Sequence, residues 1–195
     1  MLSKITRYSL LCLLAWVLMA YDMPNGWYAS GSNPNAYEMG IDPGAGQNGK
    51  NAATIRALRP ETYGYGRLIQ KFASDKYKGK RLKLTGFLRT KNVSEWAGLL
   101  MKVEGKSINR VTGKEQNKVL SLDNMYNRFV SGTTDYTKYE IVLDVPDSSA
   151  YIEYGARLTG SGQIWFDQIS FEVVGNDVPV TSSELKEPVN FDFDK

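Results

Sequence analysis

Hydrophobic and polar residues alternate with a period of two in several runs of the chain. In "KRLKLTGFLRT" (residues 80–90), Leu82, Leu84 and Leu88 share one face and polar or aromatic residues occupy the other. The run "KYEIVLDVP" (138–146) alternates in the same way and ends at Pro146, which lacks the N–H that a strand would need. Successive side chains of a strand point to opposite faces, so each run predicts a strand with one buried face.

Other short runs between turn signals extend this pattern. They are "AATIRALR" (52–59), "YGRLIQKF" (65–72), "EWAGLLMKVEG" (95–105), "AYIEYGARL" (150–158) and "SGQIWFDQISFEVV" (161–174). Only "KFASDKYKG" (71–79) predicts a short helix, and "GKSINRVTGKEQNK" (105–118) is predicted to be a polar loop. Many short strands at such spacing predict one all-β domain, a β-sandwich or jelly roll.

The last of these strands contains an acid in an apolar row. If the alternation continues through the whole run, Asp167 shares a face with Trp165, Ile169, Phe171 and Val173. A carboxylate there needs a partner. Two interpretations stay open: a structural calcium ion, which takes six to eight oxygen ligands, or backbone N–H groups of a neighbouring loop that the acid ties to the strand.

The first twenty residues resemble an export signal. Lys4 and Arg7 precede the apolar run "LLCLLAWVLMA", which is too short to span a bilayer comfortably. Cleavage after Ala20 is expected, although Leu18 fits the cleavage pattern poorly and an uncleaved N-terminal anchor stays an alternative. We therefore expect a signal or anchor (1–20), a β-sandwich domain (21–181) and a flexible acidic tail (182–195). The domain is expected outside the cytoplasm, periplasmic or secreted, without an extended membrane domain.

The composition restricts the chemistry. The chain has no histidine, and its only cysteine, Cys12, lies in the apolar N-terminal run, which excludes Ser-His-Asp and Cys-His catalysis and imidazole metal sites. A net charge of +3 with scattered basic residues does not indicate nucleic-acid binding. A glycosidase needs two carboxyls across the scissile bond, and no pair stands out among the acids Glu38, Asp42, Glu104, Asp123 and Asp167. We predict no enzymatic activity and no cofactor.

Aromatic side chains are numerous for one sandwich, and aromatic faces stack on the apolar faces of sugar rings. The segment "SLDNMYNRFVSGTTDY" (121–136) also groups charged, amide, thioether and aromatic side chains. Seven residues are predicted to contact a ligand. The first three would stack on it, the next three would form hydrogen bonds with its hydroxyls, and the last would fill the pocket: Trp27, Tyr37, Trp96; Arg89, Asp123, Asn124; Met125. The alternatives are that the aromatics belong to the core and that Asp123 caps a turn by binding backbone N–H groups.

Several of these stretches together resemble a known family. "WAGLLMKVEG", "LDNMYNRFVSGTTDYTKYEIVLDVP" and "GSGQIWFDQISFEVV", preceded by "GWYASGSNPNAYEMGID" and "GYGRLIQKFASDKYKGKRLKLTGFLRT", are similar to an uncharacterised bacterial jelly-roll domain. That domain occurs alone or behind the helix-turn-helix heads of transcriptional regulators, and it resembles the galactose-binding-like sandwiches of carbohydrate-binding modules. Leu100 and Tyr136 stand where this family is expected to carry tryptophan. An export signal takes the place of the DNA-binding head, so transcription control is not expected.

The resemblance and the residues together predict a galactose-binding-like jelly roll. The expected function is non-catalytic binding of a carbohydrate or similar polar small molecule. A structural or protein-interaction module of the cell envelope, with an envelope protein as partner, is the alternative. A carboxylate-dependent glycoside hydrolase is a third hypothesis.

Overall fold

The computed structural model describes residues 21–182, which form a jelly-roll β-sandwich. In this part of the chain the strands are β1 (Trp27–Gly31), β2 (Tyr37–Asp42), β3 (Ala52–Ala57), β4 (Tyr65–Ala73), β5 (Lys80–Ile108), β6 (Glu115–Asp123), β7 (Val130–Val145), β8 (Ser149–Thr159) and β9 (Gln163–Val174). Single 3-10 turns occur at Pro34–Ala36, Gln47–Gly49, Asp75–Tyr77 and Tyr126–Arg128. The predicted all-β fold is confirmed.

One strand belongs to both layers of the sandwich. The first half of β5 pairs with β7 and β9, and its second half pairs with β8 and β6. Layer 1 therefore has the order β1-β4-β8-β5-β6, and layer 2 has the order β2-β3-β9-β5-β7. Between the halves the register with β7 slips repeatedly, and Asn92 has a φ of 52°. A strand that changes layers needs such irregularities to turn the corner.

The core between the layers follows the predicted alternation. Leu82, Leu84 and Leu88 from the first half of β5 are fully buried, and so are the inward residues of its second half, Ala97, Leu99, Met101 and Val103. The predicted β7 row contributes Ile141, Leu143 and Val145. Burial of each such aliphatic side chain stabilises the fold by about 1.5–3 kcal/mol.

Two local predictions differ from the structure in extent. Strand β4 continues through Ala73, because Lys71 and Phe72 pair with β8, and only a single 3-10 turn follows where a helix was predicted. The predicted polar loop 105–118 is mostly a hairpin of β5 and β6, whose turn is held by Asn109 Oδ1 accepting from the backbone N–H groups of Val111 and Thr112. Both faces of this hairpin are polar, so it shows no alternation, and its backbone hydrogen bonds form it nonetheless.

Asp167 does not share a face with Ile169 and Phe171. The register between β5 and β9 slips at this point, and Gln168 has a φ of 52°, as in a β-bulge. Phe166 and Ile169 both pack on the core, three positions apart, while Trp165 and Asp167 lie on the outer face of layer 2. The extra residue reverses the alternation, which the sequence alone did not reveal.

The loop interpretation of Asp167 is confirmed. Its Oδ2 accepts a hydrogen bond from the backbone N–H of Gln47 at 3.2 Å, and its Oδ1 accepts from that of Gln168 at 2.6 Å. The same loop is held by Tyr136, whose hydroxyl donates to the carbonyl of Ala45 at 2.9 Å. Among residues 21–182 there is no group of three or more acids or cysteines arranged to hold a metal ion.

We expect Asp167→Ala to lower the free energy of unfolding by about 1–2 kcal/mol, because it leaves two backbone donors without their acceptor. Thermal melting followed by circular dichroism measures this loss. Glu172→Ala is the matched control on the same strand; this acid is exposed and pairs with Lys83, so its loss should change stability by less than about 0.5 kcal/mol. Equal melting temperatures for Asp167→Ala and the wild type would contradict the role of Asp167 in holding this loop.

The predicted signal or anchor (1–20) and nearly all of the predicted tail (182–195) lie outside the described residues. Within residues 21–182 no helix has the length and apolar character needed to cross a membrane.

Candidate functional site

The outer face of layer 1 presents a continuous set of polar and aromatic side chains. Residues directly opposite each other on neighbouring strands share a face, and here the intervening residues, such as Leu68, Ala156 and Leu99, point into the core. Across β4, β8 and β5 the outward rows are Tyr65–Thr159–Trp96, Arg67–Arg157–Gly98, Ile69–Gly155–Leu100 and Lys71–Glu153–Lys102. We call these rows, with the flanking side chains described below, the layer 1 face.

One end of the layer 1 face is aromatic. The Arg157 guanidinium carbon lies 3.7 Å from the ring centroid of Tyr65 and 4.3 Å from that of Trp96. Trp96 also meets Tyr126 edge to face, with ring centroids 6.0 Å apart, and Phe129 at 6.5 Å. Tyr126 is 67% exposed and Phe129 is 51% exposed. Exposed aromatic rings of this kind suit the apolar face of a ring-shaped ligand.

The middle of the layer 1 face is apolar. Ile69 and Leu100 are buried there, although they do not belong to the core cluster between the layers. Gly155 lies between them and has no room for a side chain, because an added Cβ would lie 2.1 Å from the carbonyl oxygen of Leu68. Gly155 is itself buried, and β4 and β8 lie close together at this point.

The other end of the layer 1 face is a network of charges around two buried carboxylates. Lys102 Nζ lies 2.9 Å from Glu104 and 3.0 Å from Glu153. Lys71 also pairs with Glu104 at 2.5 Å, and the Tyr28 hydroxyl donates to Glu153 at 3.3 Å.

The protonation of Glu104 follows from these partners. Burial by itself raises the pKa of Glu104, but hydrogen bonds from Lys71 and Lys102 and their charges outweigh it and hold the pKa below its ordinary value. Glu104 is thus ionised at neutral pH. A general acid in glycoside hydrolysis needs the opposite shift.

Two of the seven predicted contact residues lie at the aromatic end of the layer 1 face. These are Trp96 and Asn124, whose Oδ1 accepts from the backbone N–H of Tyr126 at 3.1 Å. The missing Cβ of Gly98 leaves space for this segment, since an added Cβ would approach the Asn124 carbonyl to 3.3 Å.

Asp123 and Met125 lie beneath that segment. Met125 is fully buried, and its sulfur accepts from the backbone N–H of Leu99 at 3.2 Å. Asp123 is also buried, and it accepts from the backbone N–H of Met125 at 2.8 Å and from Arg128 at 3.1 and 2.7 Å. The structure therefore realises the capped turn that was the alternative for Asp123.

The other three predicted residues lie elsewhere. Trp27 packs against Tyr154 and Phe166, with ring centroids 5.2 and 5.7 Å away. Tyr37 is buried, and its hydroxyl donates to the carbonyls of Gly64 and Gly160.

Burial raises the pKa of the Tyr37 hydroxyl to about 12. Arg89 lies on the outer face of layer 2, with its guanidinium 4.1 Å from the Trp165 ring centroid and 5.2 Å from that of Tyr136. The seven residues do not form one site, and ligand contact by any of them stays a prediction.

The sequence reasoning missed much of the layer 1 face, above all Tyr65, Arg67, Arg157 and Lys102. A signal for the arginines was available. Arg67 and Arg157 each precede a leucine in "YGRL" and "YGARL", so alternation places each arginine outward when its leucine is buried. Nothing in the sequence indicates that the two lie opposite each other, because β4 and β8 are distant in the chain.

The comparisons with known proteins agree with this fold. No family model matches the chain. An uncharacterised helix-turn-helix-type transcriptional regulator of Bacillus subtilis (strain 168), YbfP, is 40% identical over 176 residues, which are 87% of this chain and 57% of the regulator. The chain thus spans little more than half of that relative, as the resemblance to a domain fused behind helix-turn-helix heads implies.

Solved structures with a similar course of the chain share little sequence with it. The CBM22-1 and GH10 modules of a Clostridium thermocellum endo-1,4-beta-D-xylanase, complexed with xylohexaose, match 77% of this chain and 26% of theirs with a TM-score of 0.54 and 14% identity. A family 16 carbohydrate-binding module matches 80% of this chain and 98% of its own, with a TM-score of 0.50 and 13% identity. The enzymatically active domain of bacteriophage CBA120 tailspike protein 4 matches 77% of this chain and 20% of its own, with a TM-score of 0.50 and 14% identity. This chain therefore has the jelly-roll fold also found in carbohydrate-binding modules.

Proposed function

We propose that the layer 1 face binds a carbohydrate or a similar polar small molecule without catalysing a reaction. The observation that carries this proposal is the aromatic end, where Trp96 lies close to the Arg157 guanidinium and to the exposed rings of Tyr126 and Phe129. A sugar ring offers one apolar face for stacking and a rim of hydroxyls for hydrogen bonds. The fold agrees with such a role, although fold alone does not establish function.

The rest of the layer 1 face supplies what a sugar chain would need. Lys71, Lys102 and Arg67 provide N–H donors, and Glu104 and Glu153 provide acceptors, all within four residues of the apolar middle along their strands. Their mutual salt bridges fix these side chains before any ligand arrives. Preorganised groups lose less conformational entropy on binding, which favours affinity.

The absence of catalysis is proposed from the same network. Glu104 and Glu153 share the Lys102 ammonium, and the pKa of Glu104 is lowered. Neither feature supplies the protonated carboxyl that protonates a leaving group. Release of new reducing ends from an oligosaccharide during the binding assays would favour the hydrolase instead.

Location outside the cytoplasm is also a proposal, and it is supported by residues 1–20 of the sequence alone. Fractionation of producing cells, with an antibody against the β-sandwich, tests it. A protein found only in the cytoplasm would contradict it.

Trp96→Ala is the direct test of the binding face. Loss of a central stacking ring should weaken binding by about 2 kcal/mol, or roughly thirtyfold. The wild type is first screened on a glycan array, and its best ligand is then titrated calorimetrically against the variant.

Phe87→Ala is the matched control, because Phe87 is a partly exposed aromatic on the same strand but on the outer face of layer 2. It should bind like the wild type. The proposal fails if the folded wild type binds no glycan, or if Trp96→Ala binds as tightly as the control. In the first case, recovery of an envelope protein by pull-down would favour the protein-interaction alternative.

A further inference from the structure

Two arginines lie side by side in the layer 1 face without enough negative charge around them. Arg67 on β4 is directly opposite Arg157 on β8. Burial, and then the charge of Arg67, lower the pKa of Arg157, whereas the neighbouring Tyr65 raises it. Like charges in a partly buried site repel each other and destabilise it unless an anion compensates them.

Arg157 has no carboxylate partner in the described part of the chain. Its Nε donates to the Thr159 hydroxyl at 2.9 Å, and its guanidinium carbon lies 3.7 Å from the Tyr65 ring centroid and 4.3 Å from that of Trp96. Its terminal N–H groups have no protein acceptor among residues 21–182, and they are not buried. These groups are therefore available to an acceptor from outside the chain, and the guanidinium that carries them lies close to the Trp96 ring.

The charge of Arg67 is only weakly compensated. Its Nη2 donates to the Ser30 hydroxyl at 2.9 Å, its Nη1 lies 3.5 Å from Glu153, and its Nε is buried without an acceptor. Glu153 is already 3.0 Å from Lys102 and accepts from Tyr28. The Glu153 carboxylate is thus shared by Arg67 and Lys102.

The balance over the layer 1 face is positive. The outward rows hold four cations, from Arg67, Arg157, Lys71 and Lys102, against the carboxylate of Glu153 and that of the flanking Glu104. Glu95 acts on Arg157 more weakly than its other charged or ionisable neighbours do. The surplus lies at the arginine pair, because both carboxylates pair mainly with the lysines.

We propose that the ligand of this face is an anionic carbohydrate, whose carboxylate or sulfate group binds the terminal N–H groups of Arg157, beside Arg67, while its ring stacks on Trp96. This inference rests on the proposed carbohydrate binding. The planar guanidinium matches two oxygens of one anionic group, and such charge-assisted bonds are stronger than neutral ones. The stacked rings hold Arg157 in place, so the anion meets a fixed donor pair next to the sugar platform.

The experiment compares sugars that differ only in charge. Galacturonate oligomers are titrated against the folded wild type beside the same oligomers with every carboxyl reduced to an alcohol, and beside sulfated oligosaccharides. The acidic or the sulfated sugars should bind at least about tenfold more tightly than the reduced ones. Preference for one of the two anionic sets identifies whether carboxylate or sulfate is the source of the charge.

The variants assign the effect to the arginine pair. Arg157→Gln should remove most of the preference for the anionic sugar, and Arg157→Lys should retain part of it, because the charge stays but the planar donor pair is lost. Arg110→Gln removes one positive charge from the exposed β5–β6 turn, and it should leave the preference intact. Melting temperatures show whether each variant is folded.

Equal binding of the anionic and reduced oligomers by the wild type overturns the anion site and leaves carbohydrate binding standing. Absence of binding to any of these sugars, and to the glycan array, overturns both proposals. Equally tight binding of polyglutamate, or an equal loss in Arg110→Gln, would show attraction to charge in general and would also overturn the site. The comparison of anionic and reduced oligomers on the wild type tests the anion site even if Arg157→Gln does not fold.

Discussion

Replacing Gly155 by alanine is expected to abolish the stable fold, with a loss of more than about 4 kcal/mol in the free energy of unfolding. The added Cβ would lie 2.1 Å from the Leu68 carbonyl oxygen and 2.9 Å from the Ile69 Cα, and Gly155 has a φ of +153°. Both obstacles are backbone atoms, so no side chain can rotate away. Relief would require β4 and β8 to separate in the middle of layer 1, where Ile69 pairs with Gly155. Such a loss approaches the whole stability of many domains, about 5–15 kcal/mol.

The variant Gly132→Ala distinguishes the cost of backbone strain from the cost of steric overlap. Gly132 has a φ of +70°, and nothing lies within 4 Å of an added Cβ. An alanine there should cost only the left-handed backbone strain, about 1–2 kcal/mol. Denaturant unfolding of both variants measures the difference. A Gly155→Ala protein as stable as Gly132→Ala would show that β4 and β8 are not packed as closely as described.

Asp123→Ala is expected to lower the free energy of unfolding by about 2–4 kcal/mol, below the full range for a broken buried ion pair because Arg128 is partly exposed. The Asp123 side chain is 4% exposed and that of Arg128 is 31% exposed. Besides Arg128, the carboxylate accepts from the Met125 backbone and from the Thr181 hydroxyl. Removal leaves a cation and a backbone donor without their acceptor, at the turn that packs Met125 against β5.

The same denaturant experiment on Asp135→Ala supplies the control. Asp135 is exposed on the neighbouring strand β7, and its loss should change stability by less than about 0.5 kcal/mol. If Asp123→Ala were as stable as the control but failed to bind ligand, Asp123 would be a contact residue, as the sequence first suggested. If Asp123→Ala lost stability but kept the ligand preference, the role of Asp123 would be to stabilise the turn.

Regular alternation made the strand cores predictable. The rows of Leu82, Ala97 and Ile141 are buried as their period predicted, because burial on one face of a strand depends only on parity within the run. The prediction of inward and outward residues failed where the alternation was interrupted. Gln168 adds one residue at the bulge and moves Asp167 to the face opposite Ile169, and no residue type in that run signals the insertion.

The site was less predictable than the fold. Of the residues chosen for their chemical type, Trp96 and Asn124 lie at the aromatic end, whereas Trp27, Tyr37 and Met125 pack in the interior. An aromatic or thioether side chain serves a core and a site equally well, so its type cannot separate the two. Arg89 illustrates the same difficulty, since its guanidinium lies on Trp165 in the other layer.

By itself the sequence determined the all-β class, the inward rows of most strands and the absence of histidine and of thiol chemistry beyond Cys12. These follow from local periodicity and composition. Only the tertiary structure decided that β5 joins both layers and that Asp167 holds a loop. It alone placed Arg67 opposite Arg157, next to Trp96. Such relations depend on pairing between strands distant in the chain, and that pairing is fixed by the packing of the whole domain and by no single run of residues.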